Sequence, residues 1–270
     1  MSGTGICSML MSGILPSFMD NHGWRMGYVL CGVLWGLVML GAACLIREYP
    51  DTGEEKGKSA AEKYGLTYKE ALHCKGFYLL IGCVLLCNII MVCSQHLPAY
   101  FQDAGMSGIE SGKIMIVFSL GLILWKIVLG QAYDRLGAIP TTIICYGAYM
   151  AGMWILSLET LPALIGGSLL AALGIASSTV LFPLITRKIF GLKEYAPIWG
   201  NVSMATAFGV AAGSPIWGAF YDYFGSYHLA FLGAPVLLAT NLILLVALMR
   251  KKYYELPENL ASIPNSSSFR

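Results

Sequence analysis

The stretch Trp125–Gly137, WKIVLGQAYDRLG, places Lys126 near the end of an apolar run that starts at Ile114 and is interrupted only by Ser119. A lysine in such surroundings can bind a substrate carboxylate, hold a coupling charge, or form a structural ion pair. Lys126 lies eight residues before Asp134, about 12 Å along a helix that rises 1.5 Å per residue. Its side chain spans about half that distance, so snorkelling to the helix end is incomplete. Ser119, Lys126 and Asp134 are spaced by seven and eight residues, with Gly130 between them. They share one helical stripe, which is expected to face protein or cavity and not lipid.

Other polar groups invite the same question. Asn88 and Gln95 are seven residues apart and so fall on one face of a continuous helix, where they could hydrogen-bond a substrate or a neighbouring helix. His96 could carry a coupling proton, or simply sit at the membrane interface. Ser177, Ser178, Thr179, Asn201 and Ser203 fit either substrate contact or helix packing. Seven of the eight cysteines lie in apolar runs and read as small packing groups. Cys83 and Cys87 are one turn apart without the histidine or second cysteine pair of a zinc site, so no metal or cofactor is expected. No nucleophile–base pair or phosphate loop has usable spacing; neither an enzyme nor a nucleic-acid partner is expected.

The elements that position these residues follow from composition. Charged residues make up only 12% of the chain against 57% apolar, far from the roughly one quarter charged residues of a soluble domain. Apolar runs long enough to cross a bilayer recur throughout. The expectation is an all-α polytopic membrane protein with about eight spans, near Gly3–Phe18, Trp24–Ile46, Gly76–Tyr100, Ile114–Tyr133, Ile139–Leu158, Leu161–Ile185, Pro197–Phe220 and Leu229–Met249. The polar segment between the second and third spans begins as a solvated linker, Arg47–Lys63, and ends as a short surface helix with Thr67 and Glu70 as its capping box. The chain thus divides into residues 1–46 with two spans, a linker 47–75, a six-span unit 76–250 and a tail 251–270. One set of loops carries fourteen lysines and arginines, the opposite set only Arg25 and Lys113. This puts the first set, and both termini, in the cytoplasm of a cell-membrane protein bathed by lipid.

The last six spans contain an echo. GQAYDRLG (Gly130–Gly137) and GAFYDYFG (Gly218–Gly225) both read G-x-x-Y-D-x-x-G, 88 residues apart, and Pro98 and Pro183 recur 85 residues apart. Three spans separate the copies, so they point in opposite directions, which makes an inverted 3+3 repeat.

These features resemble the carboxyl-terminal half of a major facilitator superfamily transporter. GQAYDRLG matches that family's G-x-x-x-D-R-x-G turn, although Ala138-Ile139-Pro140 stands where basic residues usually follow. Three short stretches, His96-Leu97-Pro98 with Gly105-Met106-Ser107, the GSY at Gly225–Tyr227 and the GWR at Gly23–Arg25, are similar to the branch of monocarboxylate carriers and oxalate/formate antiporters. The resemblance implies helices five to twelve of a twelve-helix carrier, with the remaining N-terminal half as a partner. It implies alternating access and an anion-binding cation at Lys126, with Asn88, Gln95, Ser119 and Asn201 as further substrate contacts. Gly130, Asp134, Arg135 and Gly137, and their echo Gly218, Asp222 and Gly225, would form the latch between halves. The expected cargo is a small organic anion such as a monocarboxylate, moved with a proton or by exchange. An exporter of neutral or cationic solutes and a non-transporting remnant are the alternatives.

Overall fold

A computed structural model describes residues 3–45 and 64–251. The Arg47–Lys63 half of the linker and the tail from Lys252, with the basic residues they carry, lie outside the described residues. Everything long is helical: α1 Gly3–His22, α2 Trp24–Leu45, a short α3 Tyr68–His73, α4 Lys75–Met91, α5 Leu97–Asp103, α6 Gly108–Leu136, α7 Ala138–Leu156, α8 Leu161–Phe190, α9 Tyr195–Phe224 and α10 His228–Met249. Among the described residues six helical stretches are long and apolar enough to cross a membrane: α2, α4 through α5, α6, α7, α8 and α10. The other two long helices, α1 and α9, are less apolar. α1 is rich in glycine and serine and α9 in alanine and glycine, the residues that let helices approach closely.

Local chemistry sets the ends. The Thr67–Glu70 capping box forms as expected, with Thr67 N–H donating to Glu70 Oε2 at 2.7 Å. A second box, Ser107 with Glu110, starts α6 six residues before its apolar run begins. Gly137 and Gly225, the last residues of the two repeated motifs, stop α6 and α9 at φ 82° and 69°. Only glycine adopts such a conformation cheaply, which explains its recurrence.

The third expected span is not one helix. α4 gives way at Val92–His96 to a 3₁₀ turn and resumes as α5. Pro98 is the cause, since it lacks an N–H for the Ser94 carbonyl and its ring crowds the preceding turn. Freed carbonyls near the break find other donors: Trp217 Nε1 donates to Ile89 O at 2.7 Å and Tyr149 OH to Met91 O at 3.3 Å. Inside a membrane such replacement is obligatory. Pro183, the other proline, sits within an unbroken α8.

Small residues let the helices meet. α7 crosses α8 where a Cβ on Gly152 would lie 2.8 Å from Gly167 O, and α1 meets α6 where a Cβ on Gly112 would lie 2.9 Å from Ser12 O. α6 packs on α8 through Gly121, and α9 packs on α4 through Gly209. Between α4, α7 and α10 a buried set is held by Tyr146, whose hydroxyl reaches Cys87 Sγ and Asn241 Oδ1 at 3.2 and 3.4 Å, while Asn241 Nδ2 donates to Cys83 O at 2.9 Å. Bonds among turns sort the helix ends. Tyr100 OH donates to Leu156 O at 2.9 Å, and the His228 Nε2 lies 3.2 Å from Ser157 O, at the end opposite the basic loops.

At the basic end the described part of the linker, from Tyr64, is docked. Leu66 N–H donates to Phe190 O, Leu192 N–H to Tyr64 O, and Tyr68 N–H to Glu194 Oε2. Gly65 and Gly191 touch backbone to backbone, both at positive φ, so neither position has room for a Cβ. Gly191→Ala is therefore expected to detach residues 64–68. A strain of about 1–3 kcal/mol predicts roughly tenfold or faster amide exchange at Leu66, readable by hydrogen-exchange mass spectrometry.

Candidate functional site

The expected stripe on α6 runs from the interior to the surface. Ser119 is fully buried, Lys126 is half-buried, and Asp134 and Arg135 are exposed at the basic end. Leu124, Ile127 and Val128, the residues around Lys126 on the other side of the helix, are exposed. The helix cannot rotate freely about its axis, because Trp125 Nε1 donates to Leu169 O of α8 at 2.9 Å. Lys126 is thus turned partly inward by its neighbour's anchor. Asp134 and Arg135 make no hydrogen bond or ion pair among the described residues.

The amide pair does not share a face. Asn88 is buried, donates to Val84 O of its own helix at 2.8 Å, and lies under Gly209 of α9. Gln95 is exposed. A 3₁₀ turn advances about 120° per residue rather than 100°, so the seven-residue spacing no longer returns to the same side. Asn201 lies near the start of α9 at the basic end, where Nδ2 donates to Tyr68 OH at 3.1 Å and to Pro197 O at 3.0 Å. Its partner comes from the docked end of the linker, 133 residues away. Ser177, Ser178, Thr179 and Ser203 donate to carbonyls three residues back in their own helices.

His96 sits in the 3₁₀ turn with Nδ1 2.8 Å from Tyr227 OH and its ring against the Tyr227 ring. Its Nε2 is buried and makes no hydrogen bond among the described residues. The neighbouring Tyr221 stacks on Tyr227, and its hydroxyl donates to Asp103 Oδ1 at 3.2 Å. A chain of contacts therefore ties the end of α9 to α5 and the 3₁₀ turn.

In both motifs it is the tyrosine that reaches across. Tyr133 OH donates to Leu184 O of α8 at 3.5 Å, and Tyr221 OH to Asp103. Asp222 is exposed, and a Cβ on Gly130 or Gly218 would meet nothing within 4 Å. Tyr221→Phe removes this hydrogen bond and should loosen the α9–α5 end, shifting any open–closed equilibrium there toward the open form. Distance distributions between spin labels on the exposed residues 99 and 223, which leave Asp103 in place, would record it.

Sequence reasoning passed over Tyr221, Tyr227 and Asp103, and the anchors Trp125 and Trp217. One signal was available: Gly121 and Gly209 stand 88 residues apart, the same offset as the motif. Both are close-contact glycines, Gly121 against Leu169 and Ala172, Gly209 against Leu85 and Asn88.

Among curated proteins none matches the chain. The family model of the Major Facilitator Superfamily matches residues 1–186 and, again, residues 112–269. Those two stretches together take in almost every residue of an all-helical set of membrane-length elements. The protein therefore belongs to the Major Facilitator Superfamily, a family of membrane transporters.

Proposed function

We propose that the chain forms part of a secondary transporter for a small organic anion, with Lys126 as the cation that meets the carboxylate. The observation that carries this reading is Lys126 itself, half-buried on a membrane-length helix whose rotation is fixed by Trp125. Ser119, buried seven residues away, is the hydroxyl placed on the same stripe. No lysine or arginine occurs between Glu194 and Met249, and Ser214 stands at the repeat position of Lys126. One cation rather than two favours a monocarboxylate over a dicarboxylate. Membership of the monocarboxylate and oxalate/formate branch rests on the short motifs quoted above.

In this reading α4–α7 and α8–α10 are two three-helix units in inverted arrangement, with α1 and α2 belonging to the opposing half and eight spans in all. The exchange of partners supports it: α6 of the first unit packs on α8 of the second, and α9 of the second on α4 of the first. The indole donations from Trp125 and Trp217 follow the same exchange. The basic end is cytoplasmic by the excess of lysine and arginine. Asp134 and Arg135 form the cytoplasmic latch toward the other half, and Tyr221 with Asp103 closes the outer end. His96, held by Tyr227, is the candidate for the coupled proton.

Counterflow in proteoliposomes tests the substrate class. Radiolabelled lactate should exchange, succinate should exchange at least tenfold more slowly, and a quaternary amine should not exchange. Exchange of the amine but not of lactate would remove the anion reading.

A further inference from the structure

A cavity of about 410 Å³ lies between α1, α5 and the first two turns of α6, at the end away from the basic loops. Its origin is geometric. α1 and α6 touch at Gly112, against Ser12 O and Pro16, and beyond that crossing the short α5 leaves a wedge unfilled. The volume falls within the range of small-molecule sites, about 300–1,000 Å³.

The lining has a distinct chemistry. Three methionines, Met11, Met19 and Met115, supply flexible, polarisable walls that mould to an apolar or aromatic body. The carboxylate of Asp20 and the amide of Gln102 complete the lining, and neither makes a hydrogen bond or ion pair among the described residues. Asp20 is the one ionisable residue of the lining, and no lysine, arginine or histidine is present to balance it. A carboxylate ligand would meet like charge here without a compensating cation, which selects against the cargo proposed for Lys126. Lys126 is also distant, eleven residues beyond Met115, or about 16 Å along α6.

We infer that this cavity binds a small amphipathic organic cation, a protonated amine or quaternary ammonium, with its apolar body against the methionines and its charged head at Asp20. The site is independent of the anion reading, and its failure would leave that reading intact. Equilibrium binding of radiolabelled benzyltrimethylammonium to the purified chain in phosphatidylcholine nanodiscs tests it. Binding should be saturable, weakened at least tenfold by Asp20→Asn, retained by Asp20→Glu, lost in the cavity-filling Met115→Trp, and not competed by benzoate. Asp20 is exposed, so its two variants should fold even if Met115→Trp does not. Equal binding in Asp20→Asn and the parent, or an affinity that follows added phosphatidylglycerol and ignores Asp20, overturns the assignment. Absence of saturable binding to the parent does so as well.

Discussion

Lys126→Gln is expected to reduce monocarboxylate uptake by one to two orders of magnitude. A hydrogen bond to a charged group is worth about 1.5–3 kcal/mol, and its loss from a partly buried site shows directly in substrate affinity. Lys126→Arg keeps the charge and should retain most uptake. Its planar fork should also accept dicarboxylates better than lysine does. Stability separates this account from a structural ion pair. If Lys126 served mainly to neutralise a buried acid, glutamine would leave that acid unpaired and the melting temperature would fall by several degrees. If Lys126 meets the substrate, uptake falls while the folded fraction at the assay temperature stays that of the parent. Thermal unfolding and initial uptake measured on the same preparations distinguish the two.

Gly209→Val should severely damage the seating of α9 on α4. A Cβ there would lie 2.7 Å from Leu85 O and 2.9 Å from Asn88 Cβ. The first of these is backbone and cannot move without displacing α4. Gly121 occupies the corresponding place on α6, but its nearest obstacle at 2.8 Å is Leu169 Cδ1, the mobile end of a side chain. Overpacking costs about 1–3 kcal/mol where neighbours cannot yield. Gly209→Ala should therefore destabilise more than Gly121→Ala, and Gly209→Val should prevent recovery of folded protein from mild detergent. Size-exclusion profiles and melting curves of the three variants check the order. Equal tolerance of both alanines would mean that α9 does not seat on α4 as described.

Much of this architecture was legible because the bilayer restricts what a chain can do. Most apolar runs of membrane length became single helices, and several of their ends lie a few residues further out, as with Ser107–Glu110 before Ile114. The apolar run marks the membrane crossing, whereas caps decide where the helix stops. The terminal glycines of the two motifs were likewise readable, since each supplies the positive φ that ends a helix. The site was less legible for two physical reasons. Pro98 converts one turn to 3₁₀ geometry and sends Asn88 and Gln95 to different surroundings, which periodicity alone does not register. Asn201 is occupied by Tyr68, a partner from a linker segment with no apolar signal of its own. Long-range pairings of this kind, like Tyr221 with Asp103, depend on which helices become neighbours.

The central claim is that the two Y-D motifs belong to inverted units and so emerge on opposite faces of the membrane. Cysteine labelling in sealed, oriented vesicles tests it, in a background with Cys7, Cys31, Cys44 and Cys74 changed to serine. Arg135→Cys and Tyr223→Cys place the probes on exposed residues beside Asp134 and Asp222. An impermeant maleimide should label residue 223 from the outside and residue 135 only from the cytoplasmic side. Labelling of both from the same side would contradict the account.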